Sequence, residues 1–127
     1  MKIILPLTLM LTLITSALAA PHTGGFRQVS MQEAIRMMET ETGYMILDVR
    51  TAEEYASGHI PGAINIPNET IFQDNIPELP DKDQLILVYC RSGNRSKQAS
   101  AKLSALGYTN IVEFGGIHSW PGEIAYP

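Results

Sequence analysis

Leu85-Ile86-Leu87-Val88-Tyr89-Cys90-Arg91-Ser92-Gly93-Asn94-Arg95-Ser96 is the stretch from which the rest of the chain is read. Its first five residues are apolar or aromatic and rich in β-formers, as in a strand buried on both faces. The strand runs directly into Cys90, and a polar, Gly-containing loop follows. Residues 96–106 then have helical spacing, with Ala99, Leu103 and Leu106 on one stripe and Gly107 as the stop. Cys90 is thereby placed at the carboxyl end of a strand and just ahead of a helix.

The flanking sequence repeats this alternation. Ser30-Met31-Gln32-Glu33 reads as a capping box opening a first helix, with Ala34, Ile35, Met37 and Met38 as its apolar face and Gly43 beyond its end. Tyr44–Val49 is a nearly continuous apolar run and reads as a buried strand. Thr51-Ala52-Glu53-Glu54 is a second capping box, for a short helix ending near Gly58. Ala63–Ile66 reads as a brief strand closed by Pro67, and residues 69–76 as a further short helix ended by Pro77 and Pro80. Asn110–Glu113 makes a last strand, and Phe114-Gly115-Gly116 a turn. Strands separated by helices need crossover connections. The expected fold class is therefore α/β, with a small, mostly parallel sheet and helices on both faces. Ligands of such sheets bind beyond the carboxyl ends of the strands, where Cys90 lies.

The chain has 127 residues, room for one compact domain, with 45% hydrophobic and 17% charged residues. The formal net charge of −4 offers no electrostatic footprint for nucleic acid. Residues 1–19 differ from the remainder. Lys2 is followed by a run from Ile3 to Ser16 without a charge, and Ala17-Leu18-Ala19 has the small-x-small form of a signal-peptidase site. This is the pattern of a secretory signal, too short and too interrupted by Pro6 for a membrane span. Residues 20–28 read as a short leader and 29–127 as the folded domain, exported to the periplasm or secreted, with no membrane attachment after cleavage.

Cys90 is the only cysteine. It is an inert buried thiol, half of an intermolecular bridge, or a reactive group, and its neighbours decide between these. Between strand and helix, a loop containing Gly93 can turn successive backbone N–H groups inward as an anion-binding nest. The helix N-terminus adds partial positive charge, and Arg91 and Arg95 add two full charges. Each feature favours thiolate over thiol, and such surroundings commonly lower a cysteine to about 3.5–7.5. The candidate site is Cys90 as nucleophile with Arg91, Ser92, Gly93, Asn94 and Arg95 as its cradle.

Cys90-x4-Arg95 after an apolar strand resembles the active-site loop of rhodanese-like sulfurtransferases. Asp48-Val49-Arg50, Tyr55 and His59-Ile60-Pro61-Gly62-Ala63-Ile64-Asn65-Ile66 resemble the upstream signature of that family. Gly107-Tyr108, Val112, Gly115-Gly116-Ile117 and Trp120 resemble its closing segment. The resemblance spans residues 28–127. It implies that Cys90 takes the outer sulfur of a small anionic donor such as thiosulfate, becoming a persulfide held by the amides of residues 91–95. It further implies that a thiol or cyanide acceptor then removes the sulfur, with no metal or other cofactor. Loops of the form C-R-x-G-x-[R/T] are associated in that family with thiosulfate, and those beginning C-G-[S/T]-G with 3-mercaptopyruvate. Cys90–Arg95 fits the former. The resemblance also carries Arg50 over as a residue facing the donor.

Three other functions compete, one of them a redox role in which Cys90 forms mixed disulfides, which the lack of a second, resolving cysteine opposes. Cysteine phosphatases and related arsenate reductases use C-x5-R, a ring one residue larger that admits a tetrahedral oxyanion; four residues separate Cys90 from Arg95. A non-catalytic rhodanese-like binding module would have no chemical need for Cys90 and both loop arginines. Of the remaining candidates, Asp48 and His59 read as structural hydrogen-bonding groups, and Trp120 as packing or pocket rim. Arg50 has a second reading, an ion pair with Glu53 or Glu54. Ser92 and Ser96 are placed to touch the sulfur or, for Ser96, to cap the outgoing helix. His22 and His118 lack partners at metal-ligand spacing.

Overall fold

A computed structural model describes residues 25–127. The signal-like segment, its cleavage site and His22 lie outside the described residues. Five strands make one sheet: β1 (Arg27–Gln28), β2 (Met45–Asp48), β3 (Ile64–Asn65), β4 (Ile86–Cys90) and β5 (Ile111–Gly116). Their order is β1-β5-β4-β2-β3, and every neighbouring pair is parallel. Three α-helices, α1 (Met31–Thr40), α2 (Ala52–Ala56) and α3 (Asn94–Ala105), connect them, with single 3-10 turns at Asn68–Thr70 and Ile117–Ser119.

The apolar run in β4 has the central place that its composition demands, with β5 on one side and β2 on the other. Its side chains alternate between the faces. Ile86, Val88 and Cys90 point into a cluster with Leu47, Val49, Ala99, Leu103 and Tyr108, beneath α3. Leu87 and Tyr89 point the other way, against Ile46, Val112, Phe114 and the α1 residues Met31 and Ala34. A strand covered on both faces needs apolar residues at every position rather than at alternate ones. Each fully buried aliphatic side chain here contributes about 1.5–3 kcal/mol relative to exposure.

Both capping signals start helices, with different completeness. In α2 the Thr51 hydroxyl accepts from Glu54 N–H at 3.2 Å while the Glu54 carboxylate accepts from Thr51 N–H at 3.3 Å. In α1 Ser30 Oγ accepts from Glu33 N–H at 3.1 Å, but the Glu33 carboxylate turns to Arg36 at 2.8 Å. Only half of that box closes, because an exposed guanidinium one turn along offers a charged partner.

Four expectations change. Residues 69–76 do not form a helix beyond Thr70. Ile71 is extended, and Ile71, Ile76 and Leu79 drop into the cluster under α3, so apolar burial outweighs local propensity. Helix α3 begins at Asn94, two residues early, because Gly93 takes the left-handed conformation (φ 112°) and serves as its N-cap. Arg27–Gln28, within the stretch read as a leader, pairs with Val112 and Glu113 as an edge strand. Finally, Gly115 and Gly116 are not a turn but the end of β5. Val88 faces Glu113 whereas Cys90 faces Gly116, so β5 carries one extra residue beside the cysteine. Gly115, at φ 94°, accommodates this bulge.

Candidate active site

The site is assembled where β4 ends, α3 begins and β5 bulges. Cys90 ends the central strand and is 1% exposed, its sulfur on the floor of the loop. The chain turns sharply at Gly93, and Gly93 N–H donates to Cys90 Sγ at 3.0 Å. Ser96, in the first turn of α3, brings its hydroxyl to 3.4 Å from the same sulfur. Arg91, Ser92 and Asn94 are exposed and form the rim. Gly116 passes directly beneath the loop; a Cβ there would collide with the backbone of Arg91 and Ser92, so only glycine allows this approach.

The hydrogen bonds at the sulfur shift Cys90 toward thiolate. Burial is the largest single influence and opposes ionisation. The Ser96 hydroxyl and the backbone amides of Ser96, Gly93 and Ser92 together outweigh it, leaving the Cys90 thiol below its ordinary pKa. The N-terminus of α3, aimed at the sulfur, acts in the same direction.

The two loop arginines behave differently. Arg91 Nε donates to His118 Nε2 at 3.2 Å, at the exposed edge of the loop. Arg95 is held by Glu54 of α2 through two bonds, Nη1 to Oε1 at 2.6 Å and Nη2 to Oε2 at 2.9 Å. Arg95 therefore ties the cysteine loop to α2 and contributes to Cys90 through its field alone. Its guanidinium and the Thr51 cap hold the Glu54 carboxyl down at about 2 against the cost of burial.

A depressed carboxylate pKa in the folded state contributes stability above the unfolded pKa, and that contribution is lost as pH falls toward the folded value. Wild-type protein is therefore expected to lose stability relative to Glu54→Gln as pH is lowered from about 5 to about 2. With both side chains about 30% exposed, the difference is at most about 1 kcal/mol. Urea midpoints measured at each pH check this, and a gap that does not vary with pH would contradict it.

Arg50, expected to face the donor, makes none of its side-chain hydrogen bonds to the cysteine loop. It is 5% exposed, and it donates to Asp48 from Nε at 3.1 Å and from Nη2 at 2.7 Å, and to the Gly58 carbonyl at 2.8 Å. Asp48 also accepts from the Tyr89 hydroxyl at 2.7 Å, and that hydroxyl in turn accepts from Ile60 N–H at 3.0 Å. Asp48 and Tyr89 project from the α1 face of the sheet, whereas Cys90 projects from the α3 face. The partner of Arg50 is Asp48, not Glu53 or Glu54. His59 has the structural role expected of it: its ring stacks on Tyr55 at 3.7 Å, with Nδ1 3.0 Å from the Tyr55 carbonyl. Trp120 packs against the α1-side cluster. Among the described residues no group of three or more His, Cys, Asp or Glu is placed to hold a metal ion.

One site residue escaped the sequence reading. Glu113 is 2% exposed in the middle of β5, and its Oε1 accepts from the Ser96 hydroxyl at 2.6 Å and from Gly115 N–H at 2.9 Å. The signal was a lone acidic residue within Ile111-Val112-Glu113-Phe114, since a carboxylate is rarely buried without a role or a partner.

A rhodanese-like domain model matches residues 30–123. The chain is 41% identical over 81 residues to the thiosulfate sulfurtransferase PspE of Escherichia coli, covering 64% of this chain and 74% of that protein. It is 34% identical to the thiosulfate sulfurtransferase GlpE of Pseudomonas entomophila, covering 79% and 93%. Among solved structures, a rhodanese with anions from E. coli superposes with a TM-score of 0.61 at 34% identity, covering 66% of this chain and 99% of that one. A human single-domain sulfurtransferase superposes at 0.62 with 29% identity, covering 70% and 88%.

Proposed function

This chain belongs to the rhodanese-like domain family, and we propose that it works as an exported thiosulfate sulfurtransferase whose persulfide forms on Cys90. The Cys90 thiolate attacks the outer sulfur of thiosulfate. The S–S bond of the donor breaks, and sulfite leaves with the electron pair. Cyanide or a thiolate then attacks the terminal sulfur of the persulfide, takes it, and returns the Cys90 thiolate. Atoms and electrons balance without a metal or other cofactor.

The observation that carries this reading is the Gly93 N–H directed at Cys90 Sγ from 3.0 Å, ahead of the N-terminus of α3. A donor fixed there before reaction stabilises negative charge on sulfur without reorganising. The small ring between Cys90 and Arg95 suits a single sulfur atom, and Arg91, exposed at the rim, suits an anionic donor. Arg91, Ser92 and Asn94 are the exposed residues of the loop, and with Cys90 itself 1% exposed the donor reaches the sulfur as these side chains move aside. Residues 1–19 carry the export signal, and the domain acts in the periplasm or outside the cell. No helix among the described residues is long and apolar enough to cross a membrane.

Purified protein supplied with thiosulfate and cyanide forms thiocyanate on this account, with the parallel double-reciprocal plots of a ping-pong reaction. Absence of thiocyanate, or lines that intersect, would overturn it.

A further inference from the structure

The exposed edge of the cysteine loop holds a contact that the sulfur-transfer steps leave unused. β5 runs so close beneath the loop that a Cβ on Gly116 would meet the Arg91 carbonyl group. The 3-10 turn that follows, Ile117–Ser119, therefore sets His118 beside Arg91. The two residues meet twice. His118 N–H donates to the Arg91 carbonyl at 3.5 Å, and Arg91 Nε lies 3.2 Å from the imidazole Nε2. A guanidinium only donates, so Nε2 is the acceptor and the ring proton sits on Nδ1. The turn is itself anchored. Trp120 N–H donates to the Ile117 carbonyl at 3.0 Å, its indole N–H donates to the Glu123 carbonyl at 2.9 Å, and its ring packs against the α1-side cluster.

Which nitrogen is engaged separates the two loop arginines. Arg95 commits both Nη groups to the Glu54 carboxylate, and the charge of Glu69 acts on it as well. Arg91 is held at Nε alone. Among the described residues it has no carboxylate partner, and neither of its Nη groups makes a hydrogen bond. Its full charge and the forked end of its guanidinium are thus free at the rim, and that fork binds oxyanions through two parallel bonds. A long side chain loses rotamer freedom when it takes a ligand, and one already fixed at Nε loses less.

We propose that His118 is a positioning residue for the sulfur donor, acting through Arg91: it fixes the guanidinium by Nε so that Nη1 and Nη2 take two oxygens of an oxyanion group on the donor. Because Arg91 adjoins Cys90 in the chain, the donors selected carry that group directly on the sulfur to be transferred, as thiosulfate and thiosulfonates do. This inference rests on Cys90 being the sulfur-accepting nucleophile.

Two measurements at one pH test it. The first is the ratio of the rates at which iodoacetate and iodoacetamide alkylate Cys90. The thiolate fraction cancels in this ratio, which leaves the attraction of the site for an anionic group beside the reacting carbon. The second is kcat/KM for thiosulfate. Arg91→Ala is expected to lower both by about tenfold or more, as for the loss of a charged hydrogen-bonding partner. His118→Ala is expected to lower both by about two- to tenfold, the scale of one uncharged hydrogen bond, and to act through KM rather than kcat. His118→Gln, whose amide oxygen can replace Nε2 as acceptor, is expected to restore most of the loss. The double variant Arg91→Ala/His118→Ala is expected to be no worse than Arg91→Ala alone, since a residue acting through Arg91 then has nothing to position. Lys97→Ala, which removes another exposed charge, is expected to change the ratio less than either single variant. Additive losses in the double variant, a His118→Ala ratio equal to that of wild type, or an equal loss from Lys97→Ala would overturn the proposal. The alkylation ratio needs no sulfur transfer. Protein that shows the expected ratios but takes no sulfur from thiosulfate would refute the sulfurtransferase reading and leave the oxyanion site standing.

Discussion

Cys90→Ser is expected to lower thiocyanate formation from thiosulfate and cyanide by at least about 10³-fold, the scale of loss when a covalent nucleophile is removed. The reason is chemical rather than conformational. A serine hydroxyl is not ionised at neutral pH, and oxygen cannot carry the transferable sulfur that the reaction requires. The loop itself should persist, because a serine oxygen still offers Gly93 N–H and the Ser96 hydroxyl a partner. The variant is therefore expected to unfold within a few degrees of wild type while its turnover disappears. Equal turnover by the two proteins would remove Cys90 from the mechanism. Loss of both activity and fold would leave Cys90 as a packing residue.

Arg50→Ala is expected to behave in the opposite way, with a large loss of stability and a small effect on the donor. Its guanidinium and the fully buried Asp48 carboxylate are a pair that burial makes interdependent. Removing one partner of a buried pair costs about 3–5 kcal/mol, because the remaining charge stays desolvated. For a domain of this size each kcal/mol moves Tm by about 4 °C or more, so the midpoint should fall by at least about 12 °C. Within the folded population, KM for thiosulfate should be nearly unchanged, since the described contacts of Arg50 run to Asp48, Gly58 and Tyr89 and not to the cysteine loop. A raised KM with stability intact would return Arg50 to the donor site.

These two residues also mark how far the sequence could be read. The passage from Leu85 through Cys90 to α3 was legible because each signal in it is local: an apolar run, a glycine and a helical stripe. The parallel sheet followed from the alternation of strands and helices. The same sequence held a clue to the Arg50 pair, because extended residues two apart share a face, and Arg50 follows Asp48 at that spacing just past the end of β2. Glu53 and Glu54, three and four positions beyond Arg50, are the carboxylates that local helix geometry favours instead.

The rest of the site depends on contacts between distant segments. Glu54 meets Arg95 across 41 positions, and Ser96 meets Glu113 across 17. Their meeting is set by the register of β4 against β5 and by the extra residue in β5. Paired glycines in sequence read as a turn. Only the packed sheet shows that Gly115 forms a bulge and Gly116 lies under the loop, because the constraint on Gly116 comes from the backbone of Arg91 and Ser92.

The most direct test of the account is the mass of Cys90 after thiosulfate. Because the chain has a single cysteine, any added sulfur has one thiol to occupy. Protein treated with thiosulfate, freed of excess donor and digested without reductant should yield a Cys90 peptide heavier by one sulfur atom, and cyanide should restore the original mass while releasing thiocyanate. An unmodified Cys90 peptide from protein that still turns over thiosulfate would contradict the persulfide mechanism outright.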